Sequence, residues 1–137
     1  MKSTSTTLIL SALIVFLLTS CVTYHVTTQS LLEQFVAVHQ EMKPNIPVFP
    51  LVFLPGVVEG NDLKRIKVLD KKDSVHYIYV TNRTGVRITK LDCTKTTFYF
   101  DTMIIKDSTI TGCKTHFVPS HIKPIKLSNI KKIEIQE

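Results

Sequence analysis

Short alternating segments separated by turn residues fill the chain from residue 65 onward, and they restrict the fold more than any other feature of the sequence. The segments are rich in β-branched and aromatic residues, which favour pleated strands. The stretches between them, such as DKKD and NRTG, have the chemistry of turns. The sequence therefore predicts a mainly β fold, either a small antiparallel meander sheet or an open barrel of six to seven strands. The predicted strands are residues 65–69, 74–81, 86–91, 96–105, 109–111, 114–119 and 125–135.

One amphipathic helix precedes the predicted strands. Ser30 followed by Glu33 matches a capping box, and apolar residues then recur at helical spacing. The helix is predicted over residues 30–42, because Pro44 stops it. We expect this helix to cover one face or one end of the sheet.

The next segment, residues 43–62, combines several prolines with Val, Leu and Phe. The prolines exclude a continuous helix or a central strand, and the apolar content excludes a solvated linker. The segment is predicted to be an extended crossing that packs on the body of the fold. The alternative is an exposed apolar loop that docks a partner protein.

Residues 1–20 have the pattern of an export signal. Lys2 lies in a short polar run, and the apolar run that follows, residues 8–18, has the length of a signal-peptide core. It is too short to span a membrane, which takes ~20 apolar residues. The four residues that end in Cys21, Leu-Thr-Ser-Cys, resemble the lipobox of bacterial lipoproteins, with an aliphatic residue three positions before the cysteine and a small residue just before it.

This resemblance implies cleavage before Cys21, a diacylglycerol thioether on its sulfur and usually an acyl group, such as palmitate, on its new amino group. Two or more acyl chains hold a protein stably on a membrane. In lipoproteins, Asp after the cysteine commonly retains the protein at the inner membrane. Val22 stands there, which implies the outer membrane, facing the periplasm. Residues 21–29 would be a lipidated tether to one mainly β domain over residues 30–137.

The C-terminal part resembles small bacterial lipoproteins to which no function is assigned. The similar features are the DSTITG turn at residues 107–112 and the spaced isoleucines of residues 125–135. The resemblance implies a β domain at the C-terminus and no particular activity.

The chain is basic, with 17 Lys and Arg against 11 Asp and Glu. Such a charge favours binding to anionic lipid headgroups or acidic glycans. The interpretation that we favour is that the lysines lie on solvated strand faces and edges, where lysine discourages aggregation between sheet edges. Export would separate the protein from nucleic acid, so the expected partners are the membrane, through the lipid, and an envelope protein.

With Cys21 lipidated, Cys93 and Cys113 remain as an even pair in an oxidising compartment. Both are predicted at the same end of the sheet, but on strands roughly 9.6 Å apart. A disulfide needs Cα atoms within about 7 Å, so the bond would require the two loops to curl toward each other.

The same region suggests a metal site that would exclude this disulfide. Cys113, His116 and His121, with Cys93 if it lies nearby, are residue types that bind zinc. The spacing departs from a zinc knuckle, which begins with two close cysteines. The alternative is that the two histidines are ordinary surface or turn residues without a metal.

The sequence has no glycine-rich phosphate loop, no HExxH motif and no G-x-S-x-G motif. We therefore expect a non-enzyme with no cofactor beyond the lipid on Cys21. The predicted function is that of a membrane-anchored envelope lipoprotein with a binding, accessory or structural role. The alternative is a metal-binding or redox-linked periplasmic protein that uses Cys93, Cys113, His116 and His121.

Overall fold

The computed structural model of the chain describes residues 22–44, 57–117 and 120–137. Within these ranges the chain forms one α-helix, two short 3-10 turns and eleven strands. In chain order they are β1 (Thr23–Val26), α1 (Thr28–Phe35), β2 (Gln40–Pro44), β3 (Val57–Asn61), β4 (Arg65–Leu69), β5 (Val75–Tyr79), β6 (Gly85–Lys90), β7 (Lys95–Tyr99), a turn at Phe100–Thr102, β8 (Ile104–Lys106), β9 (Thr109–Thr111), β10 (Ile125–Lys126), a turn at Leu127–Asn129 and β11 (Ile130–Gln136).

The main layer is a six-stranded antiparallel sheet in the order β5-β4-β1-β11-β6-β7. A three-stranded sheet, β10-β9-β8, and the β2-β3 hairpin complete the β structure of the described residues. The prediction of a mainly β fold, with an open antiparallel sheet and one helix, is confirmed. The sheet is not a simple meander, because β1 and β11, the first and last described strands, pair at its centre.

The prediction of a tether over residues 21–29 is wrong for its described part, because Thr23–Val26 is the central strand β1. Tyr24 lies opposite Ile135 and Val26 opposite Ile133, so these two side chains join the core face of the sheet. A strand of four residues is too short for its alternation to stand out in the sequence. Its place in the sheet depends on β4 and β11, which lie far away along the chain.

The helix is shorter than the predicted range of residues 30–42. It begins after Thr27, whose Oγ1 accepts a hydrogen bond from the Ser30 backbone N–H at 3.1 Å, and it ends at Phe35. Gln40–Pro44 forms β2 against β3 instead. The backbone pairs with β3 outweigh the helical periodicity of the sequence, which is a weak preference. No helix in the described part of the chain is long and apolar enough to cross a membrane.

The predicted crossing over residues 43–62 is described only at its two ends, which belong to β2 and β3. Residues 45–56 lie outside the described ranges, as do residues 1–20 and Cys21. The β3 end is anchored in the interior, where Val58 and Asn61 are buried.

One face of the main sheet packs against α1 and the turn after β7. Leu31 of α1 and Phe100 of the turn are fully buried between them, with Ile88 and Ile135 of the sheet. Each such side chain contributes roughly 1.5–3 kcal/mol when it leaves water. The rings of Phe35 and Phe100 meet edge to face, with centroids 6.0 Å apart.

The side chain of Gln34 replaces a strand partner for β4 where β1 has ended. Its Oε1 accepts a hydrogen bond from the backbone N–H of Lys67 at 2.6 Å, and its Nε2 donates to the Lys67 carbonyl at 3.1 Å. The helix therefore satisfies backbone groups that the sheet leaves unpaired.

Two predicted strands differ in the structure. The prediction over residues 96–105 breaks into β7, a turn and β8, because Asn61 Nδ2 donates to the carbonyls of Phe100 at 2.7 Å and Met103 at 3.0 Å. The sixth predicted strand, residues 114–119, is wrong for its described residues, which turn back. The strand pairing recorded here is an isolated bridge between Cys113 and His121.

Candidate functional site

A cleft of about 590 Å³ lies between the β6–β7 hairpin and the segment that leads into β10. Four lysines and one histidine line it, together with polar side chains that include Thr96 and Asn129. No aspartate or glutamate is among its described lining residues. The cationic residues are Lys90, Lys114, His121, Lys123 and Lys126.

Alternating burial explains why this segment presents cations to the cleft. Ile122 and Ile125 are each 5% exposed and anchor the segment in the core, while His121, Lys123 and Lys126 between and beside them are exposed.

The backbone of the segment is held as firmly as its isoleucines. Ile122 N–H donates to the Gly112 carbonyl at 2.9 Å, and Thr111 Oγ1 donates to the Ile122 carbonyl at 3.2 Å. The lysines therefore stand on a fixed wall of the cleft.

The opposite wall comes from the end of β6. The N–H of Leu91 donates to the Asn129 carbonyl at 3.0 Å, which ties the hairpin to the turn before β11. Lys90 Nζ lies 3.6 Å from Asp92 Oδ2. Among the described residues no ion pair involves Lys114, Lys123 or Lys126, so the cleft keeps a positive field that attracts anions.

The thiol of Cys113 lies beneath His121. Its Sγ is 3.5 Å from His121 Nδ1, and the residue is fully buried. Burial raises the pKa of the Cys113 thiol, and the nearby Asp101 carboxylate raises it further. The thiol therefore stays protonated near neutral pH and is a poor nucleophile.

His116 bonds to Asp101. Its Nε2 lies 2.9 Å and 3.0 Å from the two carboxylate oxygens, and its ring packs on Tyr99 with centroids 4.2 Å apart. The side chains of His116 and Asp101 are only 12% and 9% exposed. This contact fastens the stretch after Cys113 to the turn that follows β7.

The structure does not bring the four predicted metal ligands together. Cys113 and His121 touch, but His116 is held by Asp101, and Cys93 lies in the β6–β7 hairpin with its Sγ 3.9 Å from Lys131 Nζ. Within the described ranges, no three His, Cys, Asp or Glu side chains converge in an arrangement that could hold a metal ion.

Cys93 and Cys113 are both free thiols in the structure. Cys93 precedes β7, whereas the carbonyl of Cys113 accepts a hydrogen bond from the N–H of Tyr99 at the far end of β7. This puts roughly 20 Å of strand between them at ~3.3 Å per residue. The prediction that both cysteines lie at one end of the sheet is wrong, because the predicted strand over residues 96–105 breaks at the Phe100–Thr102 turn and the chain brings Cys113 back to the Tyr99 end of β7.

The cleft was not among the residues singled out in the sequence. The available signal was the cluster of lysines around residues 123–126, which scattered surface charge imitates. Lys90 and Lys114 join this cluster only through the folding of the chain after β7.

A second group of charges lies on the outer face of the main sheet. Glu134 Oε2 accepts a hydrogen bond from Arg87 Nε at 2.9 Å, and its Oε1 accepts one from Lys132 Nζ at 2.9 Å. The bond from Arg87 is the main reason that the pKa of Glu134 falls to about 2. This trio is internally paired and leaves no free carboxylate oxygen for a ligand.

Comparison with known proteins yields no match of any kind: no family model, no curated protein and no solved structure matches the chain.

Proposed function

We propose that this protein is a lipid-anchored binding protein of the bacterial cell envelope, and that the lysine-lined cleft binds an anionic ligand. One observation carries the second half of this proposal: four lysines and a histidine converge on a cleft whose described lining has no carboxylate. Clustered like charges raise the free energy of the empty site, and an anion relieves this repulsion.

The anchor is supported by the sequence of residues 1–21, and the position of β1 adds a geometric consequence. Only Val22 separates Cys21 from β1, and the Val22 carbonyl accepts a hydrogen bond from the Glu137 N–H at 3.4 Å. Two residues span about 7 Å at most. Acyl chains on Cys21 would therefore hold this end of the sheet directly against the bilayer, without a flexible spacer.

This position of the anchor also favours one source of the ligand. β6 runs from Gly85, on the same end of the sheet as Thr23, to Lys90 at the other end. That is about 17 Å of strand. With the Thr23 end on the membrane, the cleft wall at Lys90 and Asn129 faces the aqueous space. The ligand would then be a soluble anion or an acidic glycan rather than a headgroup of the same bilayer.

A binding role is favoured over a catalytic one because the thiol beside the cleft is buried and protonated. Metal binding remains the alternative. Among the residues that the structure describes, the Cys113–His121 pair is the one contact that supports it. Zinc retained by the natively purified protein would favour metal binding over the anion site.

The anchor is tested by intact mass spectrometry of the protein purified from membranes of a diderm bacterium. We expect a mass that begins at Cys21 and includes acyl chains, and we expect Cys21→Ala to leave the membrane fraction. An unprocessed chain, or a Cys21→Ala variant that is cleaved and retained normally, would refute the anchor and leave the cleft untouched.

The cleft is tested by titrating the protein with inorganic phosphate and with a heparin oligosaccharide. We expect Lys123→Gln combined with Lys126→Gln to weaken the binding of phosphate, of the heparin oligosaccharide or of both at least ten-fold. The matched control is Lys71→Gln combined with Lys72→Gln, which removes the same charge from the exposed β4–β5 turn. Equal losses in both double variants would show unspecific attraction to a basic protein and refute the cleft as a site.

A further inference from the structure

β5 forms one edge of the main sheet, and half of its backbone hydrogen-bonding groups point away from β4. The N–H of Val80 donates to the Lys64 carbonyl, and the N–H of Asp70 donates to the Ser74 carbonyl. In an antiparallel pair hydrogen-bonded positions alternate, so the even-numbered residues of β5 pair with β4. The N–H and C=O groups of Val75, Tyr77 and Tyr79 therefore face outward along the edge.

The side chains at these three positions make an apolar row beside the free backbone groups. Val75 is 51%, Tyr77 57% and Tyr79 70% exposed. Natural sheet edges are commonly protected by charge, proline, bulges or a covering segment. Among the described residues, β5 carries none of these at its outward positions.

The charge beside the edge selects one kind of partner. Arg65 of β4 leans across β5, with its guanidinium carbon 4.8 Å from the centre of the Tyr77 ring. Lys67 lies opposite Tyr77 on the same face. The outward positions of β4 and β5 carry no carboxylate, so the cation beside the edge can bind a carboxylate on an added strand.

We propose that β5 binds an extended acidic segment of another envelope protein by strand addition. The backbone of the segment would pair with Val75, Tyr77 and Tyr79, as in other cases of β-augmentation. Its Asp or Glu side chains would lie on the outer face within reach of Arg65. A second copy of this chain fits less well, because antiparallel pairing of two β5 strands about Tyr77 brings two arginines toward one interface.

The probe is a short labelled peptide of alternating valine and glutamate, with the same peptide carrying lysine for glutamate as its control. Binding to the full chain in detergent is measured by fluorescence anisotropy. We expect the glutamate peptide to bind at least ten-fold more tightly than the lysine peptide. Arg65→Glu should reverse this preference. Equal affinity for the two peptides would overturn the proposal.

Proline variants test whether the backbone of the edge takes part. Tyr77→Pro removes an outward N–H without removing a bond to β4, and we expect at least a ten-fold loss of affinity for the glutamate peptide. Thr97→Pro removes the equivalent outward N–H on the other edge strand, β7, and should bind the glutamate peptide as the unmodified chain does.

Unchanged binding by Tyr77→Pro, with circular dichroism showing the native fold, would overturn the proposal. So would a dimer in sedimentation that Tyr77→Pro dissolves, because the occupant would then be a second copy. The cleft is lined by residues of β6 and β7 at the opposite edge of the sheet, so neither result bears on it.

Discussion

The two edges of the six-stranded sheet are finished in opposite ways. Beyond β7 the chain folds back through a turn, the small sheet and the cleft segment, and the Tyr99 N–H is bonded to Cys113. No described strand pairs with the outer side of β5, and Tyr79 is 70% exposed. The comparison teaches that the β7 edge is covered by the protein's own chain at its Tyr99 end, and we call it the closed edge. The β5 edge, which we call the open edge, has no described strand beside it and is available to a partner.

Buried polar contacts secure the closed edge. Asn61 holds the Phe100–Thr102 turn, the Cys113 N–H donates to Thr102 Oγ1 at 2.8 Å, and Asp101 holds His116. Buried groups of this kind are costly to leave unpaired. A substitution at the closed edge should therefore lower the free energy of unfolding more, the more of these buried contacts it removes.

The largest expected effect contrasts one aromatic residue on each side. Phe100→Ala removes a fully buried ring at the closed edge and should lower the free energy of unfolding by about 3–5 kcal/mol. Tyr79→Ala at the open edge should change it by less than ~0.5 kcal/mol. Urea denaturation of both variants measures the difference, and similar losses would mean that β5 is as well packed as the turn.

The two cysteines test how well the folded-back segment covers the closed side. Cys93 lies exposed in the hairpin, whereas Cys113 is buried and its thiol pKa is raised by that burial. We expect a thiol reagent at neutral pH to modify Cys93 about 100-fold faster, a difference of ~2.7 kcal/mol. Equal rates would show that the segment opens readily, and loss of both thiols in protein isolated from the envelope would show a disulfide.

Two glycines test close packing at the closed edge. A Cβ at Gly112 would collide with the ring of Phe98, whereas a Cβ at Gly85 would meet Gln136 only at 3.6 Å or more. Gly112→Ala should therefore cost about 2 kcal/mol through overpacking. Gly85→Ala should be neutral within ~0.5 kcal/mol. Thermal unfolding followed by circular dichroism compares them, and a neutral Gly112→Ala would contradict the tight contact.

The smallest expected effect lies in the middle of the sheet, between the two edges. The pKa of Glu134 is lowered to about 2 in the folded protein from its usual 4.5, so the folded state holds its proton less tightly than the unfolded chain does. The stability from this carboxylate is therefore fully present above about pH 4.5 and is lost as the pH falls toward 2.

Glu134→Gln should reduce the free energy of unfolding by about 1 kcal/mol at pH 7, with the difference vanishing near pH 2. Glu33→Gln, at an exposed position of α1, is the control and should show no such pH dependence. A difference that persists unchanged at pH 2 would show that the loss comes from altered packing rather than from the charge of Glu134.

Much of the β structure could be predicted because it depends on local chemistry. β4 and β9 match their predicted segments, and β5 and β6 match closely, since β-branched residues recur in each of them between clear turns. β1 and β2 were missed because their short sequences, TYHV and QEMKP, carry no clear strand pattern of their own. β1 depends on β11, and β2 depends on β3.

The sequence by itself determined the mainly β class and the basic charge, because alternation and composition are local properties. The export signal over residues 1–20 stays a prediction. Only the tertiary structure decided which charges meet. Lys90 and Lys126 are distant in sequence, and both line one cleft because the chain folds back after β7. The bare edge of β5 was equally invisible, since a strand becomes an edge only when the rest of the sheet has formed on its other side.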